Sequence, residues 1–185
     1  EWVGRGLAAL AGRETAEAAD LLLIAGLIYT RQGDYGAALE RCRHSLQIAE
    51  ALKAELALAR GYNLLGHIAR RSEGANAAVE YFQESFARYQ RLGDLHGQAL
   101  LHNQIANAYD DFGFWVEAAQ HYDRARELFG QLGDTYRRAL ADSNKGTIAV
   151  NQGRLDEAAP LLHAAAATLA ELDASPYARG IVALN

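Results

Sequence analysis

The residues able to do chemistry in this chain are few and scattered. Six histidines, His44, His67, His96, His102, His121 and His163, never pair at metal-ligand spacing on one helical face, so each is expected at the surface or in a groove. Cys42 is the only cysteine and has no partner for an internal disulfide. There is no glycine-rich phosphate loop and no His-Glu-x-x-His pair. The expectation is therefore a protein that is not an enzyme and needs neither cofactor nor metal. Carboxamides, by contrast, recur: Asn103 and Asn107 stand one helical turn apart, and Asn63 precedes Asn103 by forty residues. A carboxamide has both donors and an acceptor, so a row of them can grip the backbone of an extended peptide without demanding one side chain. Asn is a poor helix former, and its return at one phase in mid-helix points to such a grip. The alternative is a solvated helix face on which these residues have no task.

Something periodic must hold these side chains in register. Gly26, Gly66, Ala106 and Gly146 form one column spaced by forty, and Tyr29, Ala69, Tyr109 and Ala149 follow three residues later. Ala38, Ala78, Ala118 and Ala158 keep the same period, with Cys42, Phe82, Tyr122 and Leu162 four residues beyond them. Leu52, Leu92, Leu132 and Leu172 close each unit. Within a unit the apolar residues fall at helical spacing twice, as in Leu64, Leu65, Ile68 and Ala69, then Val79, Phe82, Phe86 and Tyr89. Glycines at 33, 74, 113 and 153 suit the helix ends between them. This pattern predicts first helices near 16–32, 56–72, 96–112 and 136–152, and second helices near 35–52, 75–92, 115–132 and 155–172. A small residue where paired helices cross lets their backbones approach, and the aromatic or aliphatic column fills the space beside it. One hairpin cannot bury its apolar face alone, so stacked hairpins fold together.

Composition narrows the partners. Lys and Arg total 18 against 23 Asp and Glu, a formal net charge of -5 with no like-charge run. Nucleic acid, which needs clustered positive charge, is not expected. The densest apolar run, Leu21 to Ile28, is too short for a membrane span of roughly 20 residues. A reduced, cytoplasmic setting follows from the solitary cysteine. Lys53 and Lys145 are the only lysines and Met is absent, which predicts a piece of a longer protein from a GC-rich bacterial source.

The columns resemble those of tetratricopeptide repeats. The leucine-glycine pair is seen at Leu65-Gly66, with Ala25-Gly26 and Ile105-Ala106 as variants. The tyrosine is Tyr29 and Tyr109, and the Ala-x-x-x-aromatic element is Ala78 to Phe82 and Ala118 to Tyr122. The forty-residue unit is longer than the usual 34 residues, and Glu50, Gln90, Gly130 and Ala170 stand where a closing proline would fall. It resembles the long-helix subclass in those respects and in its links at Leu92-Gly93-Asp94, Leu132-Gly133-Asp134 and Gly33-Asp34-Tyr35. Kinesin light chains, Pins-type adaptors and bacterial signal-transduction ATPases, cyclases and transcriptional regulators carry that subclass. HEAT and armadillo arrays share the period and are the structural alternative; the glycine, tyrosine and alanine columns favour tetratricopeptide repeats.

The resemblance implies an all-α, right-handed superhelical solenoid of antiparallel helix pairs. It also implies a single array over 1–185, with four units at 16–52, 56–92, 96–132 and 136–172. Residues 1–12 would be the second helix of a truncated unit, since Trp2 falls in the Cys42 column, and 176–185 would begin a fifth. In such a register the concave surface is lined by first-helix positions three and two before the small column, one after it, and four or five after it. These are Asn63, His67, Arg70 and Arg71 in the second unit, and Asn103, Gln104, Asn107, Asp110 and Asp111 in the third. The fourth contributes Ser143, Asn144, Thr147 and Asn151. Arg70-Arg71 and Asp110-Asp111 could instead neutralise each other. The expected function is a protein-interaction or peptide-sensing scaffold, a fragment of a larger bacterial regulator, that binds a peptide or partner domain in this groove. The alternative is a structural spacer, or a homodimerisation element acting through the array ends.

Overall fold

Most of the described helices start or stop at a short link whose chemistry is visible in the sequence. Gly33, Gly93, Gly113, Gly133 and Gly153 all take positive φ, between 65° and 80°, which costs glycine nothing and ends a helix. At three links the next residue is an aspartate that caps the following helix. Asp34 accepts from the Ala37 amide at 3.0 Å, Asp94 from Gly97 at 2.8 Å, and Asp134 from Arg137 at 2.9 Å. The link Leu52-Lys53-Ala54 breaks the rule: Lys53 carries φ 51° without being glycine, and Ala54 has no side chain to cap the next helix.

The computed structural model describes residues 14–174. Among them are eight helices and no strand: α1 (Ala16–Gln32), α2 (Tyr35–Ala51), α3 (Glu55–Ser72), α4 (Ala75–Arg91), α5 (Leu95–Asp111), α6 (Trp115–Gln131), α7 (Thr135–Asn151) and α8 (Leu155–Ala174). The fold is an all-α solenoid in which consecutive helices pack as antiparallel pairs, and first helices begin about every forty residues. The expectations for residues 1–12 and 176–185 lie outside the described residues. The chain divides into two compact units, one ending at Gly97 and one starting at Gln98, so the division falls inside α5.

In the first unit Leu23, Cys42, Leu46, Leu58, Leu64 and Ile68 form the core. The glycine column does what the spacing requires. A Cβ on Gly26 would stand 2.9 Å from Leu64, and one on Gly66 would stand 2.4 Å from two carbons of the Phe82 ring. Phe82 is wholly buried, a burial worth about 1.5–3 kcal/mol. Two buried serines, forty apart, join neighbouring hairpin elements: Ser45 donates to the Ala19 carbonyl at 2.8 Å, and Ser85 to the Ala59 carbonyl at 2.7 Å.

In the second unit Ala106, Ala118, Tyr122 and Ile148 cluster, with Tyr109 and Trp115 packed on them. Ala99, Ala125 and Phe129 form a second cluster. A Cβ on Gly146 would meet Leu162 at 2.8 Å, sixteen residues on, the same offset as from Gly66 to Phe82. Small residues thus let first and second helices close up, and the bulky column fills the contact.

Candidate functional site

The first unit brings its first helices together around a cavity of about 570 Å³. Leu27, Thr30 and Arg31 come from α1, and His67, Arg70 and Arg71 from α3. Relative to Gly26 and Gly66 these are equivalent positions, one, four and five residues after the small column. Gln32, Gly33 and Tyr35 complete the lining. The α1 contributors were missed in the sequence, although the register that picks out α3 reaches them equally.

Arg71 is exposed and Arg70 half-buried. His67 is half-buried too, its ring set edge-on to Phe82 with centroids 5.4 Å apart. Burial, aided by Arg70 and then Arg71, pushes the His67 pKa down to about 4, so the ring is neutral at pH 7. Asn63 is half-buried, and its Oδ1 atom is buried with no hydrogen-bond partner among the described residues. An acceptor in that state carries a desolvation cost of about 1–3 kcal/mol that an added donor would relieve.

In the second unit the remaining candidates separate. Asn103, Gln104, Asn107, Asp110 and Asn144 are half-buried, while Asp111 and Asn151 are exposed. Asn107 already has work inside the fold: its Oδ1 accepts from the Tyr122 hydroxyl at 2.6 Å, which leaves the amide NH2 for other uses. Burial, and then the neighbouring Asp111, raises the pKa of Asp110 above the usual carboxylate value. Asn151 faces a different cavity, of about 920 Å³, with Trp115, Val116 and Lys145. Lys145 holds Asp123 there at 2.6 and 2.9 Å.

One pairing had no signal along the chain. His102 on α5 and His121 on α6 face each other, Nδ1 to Nδ1 at 3.0 Å. At that distance one ring donates from Nδ1 and the other accepts there, so the accepting ring is neutral with its proton on Nε2. Burial lowers both pKa values. That of His102 falls to about 4, with His121 and Arg124 as further causes. Cys42 is wholly buried, its thiol set against the Gly61 carbonyl at 3.2 Å and its pKa pushed up to about 12 by burial. It is a packing residue. Among the described residues no group of three or more His, Cys, Asp or Glu is placed to hold a metal ion, and no helix is long and apolar enough to cross a membrane.

Residues 17–91 match the tetratricopeptide repeat family. No curated protein matches this chain in sequence. Among solved structures, BtubC (BKLC) from P. vanneervenii superposes with a TM-score of 0.78 at 18% identity, over 94% of this chain and 71% of that one. RapI in its apo form gives 0.80 at 17% identity, over 92% and 63%. A signal transduction ATPase with numerous domains, from Pyrococcus horikoshii and bearing a tetratricopeptide repeat sensor, gives 0.77 at 13% identity. The match to it covers 85% of this chain and 24% of that protein. At these identities the likeness is one of fold. Helix pairs at a forty-residue period, small residues where they cross and the family match lead to one conclusion: residues 17–91 are tetratricopeptide repeats, and the described chain shares the fold of the solved structures it resembles.

Proposed function

We propose that this chain binds a protein or peptide segment along the exposed faces of its first helices. In the first unit those faces are α1 and α3, with Asn63, His67, Arg70 and Arg71. In the second they are α5 and α7, with Asn103, Gln104, Asn107, Asp110, Asp111, Asn144 and Asn151. The observation that carries this reading is the α1–α3 cavity, where equivalent register positions of adjacent first helices line one opening. Its polar groups sit on helices clamped by the glycine crossings, so a ligand meets a preorganised surface. The likeness to a signal transduction ATPase with a tetratricopeptide repeat sensor supports a sensing role within a larger regulatory protein.

Selecting a random peptide library on the whole chain, then measuring hydrogen exchange of the complex, tests the proposal. Protection on the first helices is expected, and Asn63→Ala should weaken the selected peptide by about 0.5–1.5 kcal/mol. Protection confined to the second helices, or self-association with no peptide bound, would favour the spacer or dimerisation role instead.

A further inference from the structure

The α1–α3 cavity has a charge unlike that of the chain around it. The protein is acidic, at -5, yet three arginines, Arg31, Arg70 and Arg71, line this one opening and no carboxylate does among its described lining residues. Asp34 and Glu73, the acids nearest in sequence, stand outside the lining, and Asp34 is occupied in capping α2. Arg31 and Arg71 are exposed, so their guanidinium groups can turn to a ligand. His67 beside them is neutral, so the arginines alone supply the charge. Next to this cationic end α1 exposes Ile24, Leu27 and Ile28, each 40–47% accessible. Ile24, Leu27, Ile28 and Arg31 follow the spacing that puts residues on one helical face.

We propose that this cavity recognises an acidic peptide segment in which an apolar side chain lies about three residues from a carboxylate pair. The proposal rests on the groove reading above and adds the ligand's chemistry to it. Arginine guanidinium groups bind carboxylates bidentately, and the apolar strip offers burial beside them. The spacing follows from the helix. Ile24 to Arg31 covers seven residues, roughly 10 Å at 1.5 Å per residue. An extended peptide rises about 3.3–3.6 Å per residue and spans that distance in three.

The test uses the whole chain and three end-blocked, fluorescein-labelled peptides. The first places Leu three residues before Glu-Glu; the second replaces Glu-Glu by Gln-Gln; the third replaces Leu by Ser. The first should bind about tenfold tighter than either of the others, a difference of about 1.4 kcal/mol. Its advantage over the Gln peptide should grow as salt is lowered and vanish in Arg31→Gln/Arg71→Gln. Equal binding of the Glu and Gln peptides, absence of binding by the first peptide, or a preference that survives in the double variant overturns the proposal. Displacement by inorganic phosphate, at ionic strength matched with chloride, would make this a general anion site and also overturn it. If the double variant fails to fold, the three peptides on the wild-type chain still decide. A library-selected peptide that protects α1 and α3 but carries no acid would leave the groove reading standing and remove this one.

Discussion

Replacing Gly66 by alanine should destabilise the protein even though alanine is the better helix former. The new Cβ would lie 2.4 Å from Cδ1 and Cε1 of Phe82 and 2.9 Å from Cζ. Carbon contacts are comfortable only beyond about 3.5 Å, so the ring would have to retreat by about 1 Å. Phe82 is wholly buried and has His67 against its edge, which leaves it nowhere to go. Overpacking of this kind costs about 1–3 kcal/mol, at the upper end here, while the propensity gain returns about 1 kcal/mol. The expected net loss is about 1–2 kcal/mol, or about 2–8 °C in Tm for a chain of this size. Gly130 is the internal control. A Cβ there meets only the Arg138 side chain, at 3.6 Å, so Gly130→Ala should gain about 0.4–1 kcal/mol. Thermal and urea unfolding followed by circular dichroism would read both. Adding Phe82→Leu to Gly66→Ala should cost less than the sum of the two single changes, because the smaller side chain vacates the contact. A neutral or stabilising Gly66→Ala, or strict additivity with Phe82→Leu, would refute the idea that residue 66 sets the approach of α3 and α4.

Two further outcomes follow from the links and the histidines. Converting Lys53-Ala54 to Gly-Asp should relieve the left-handed Lys53 and cap α3, adding about 1–2 kcal/mol by urea unfolding; no gain would mean that this link is already unstrained. Stability should also fall as pH drops from about 6.5 towards 4, because the folded state holds His67, His102 and His121 neutral while the unfolded chain takes up protons near 6.5. The unfolded state binds more histidine protons throughout that window, so the histidine contribution to stability rises with pH across it and levels off below about 4, once folded His67 and His102 protonate as well. The interval from 6.5 to about 4 sets a ceiling of about 3 kcal/mol for His67, and a smaller one for the more solvent-screened His102. Urea midpoints between pH 4 and 7 should show a shallower slope in His67→Gln than in the wild type, and an unchanged slope would count against the burial argument.

Much of the architecture was legible in the chain because it depends on one residue per crossing or per link. Gly26, Gly66 and Gly146 each face a side chain that leaves no space for a Cβ, so a forty-residue column of small residues could only mean helices brought close at fixed intervals. Gly33-Asp34, Gly93-Asp94 and Gly133-Asp134 could be read as helix ends because a left-handed residue followed by a capping carboxylate is local chemistry. The candidate site was legible only in part. The register singled out His67, Arg70 and Arg71 as candidates, but that they share a cavity with Leu27, Thr30 and Arg31 depends on how α1 is rotated against α3. Asn107 read as a free carboxamide until Tyr122, fifteen residues away on the next helix, proved to occupy its oxygen. His102 and His121 never shared a helical face, and they meet only because α5 packs on α6 at one angle. Period and helix boundaries are set within a turn or two of chain, so the sequence by itself determined them. Side chains on different helices meet according to crossing angle and axial rotation, which the packing of the whole hairpin sets, and only the tertiary structure decided those meetings.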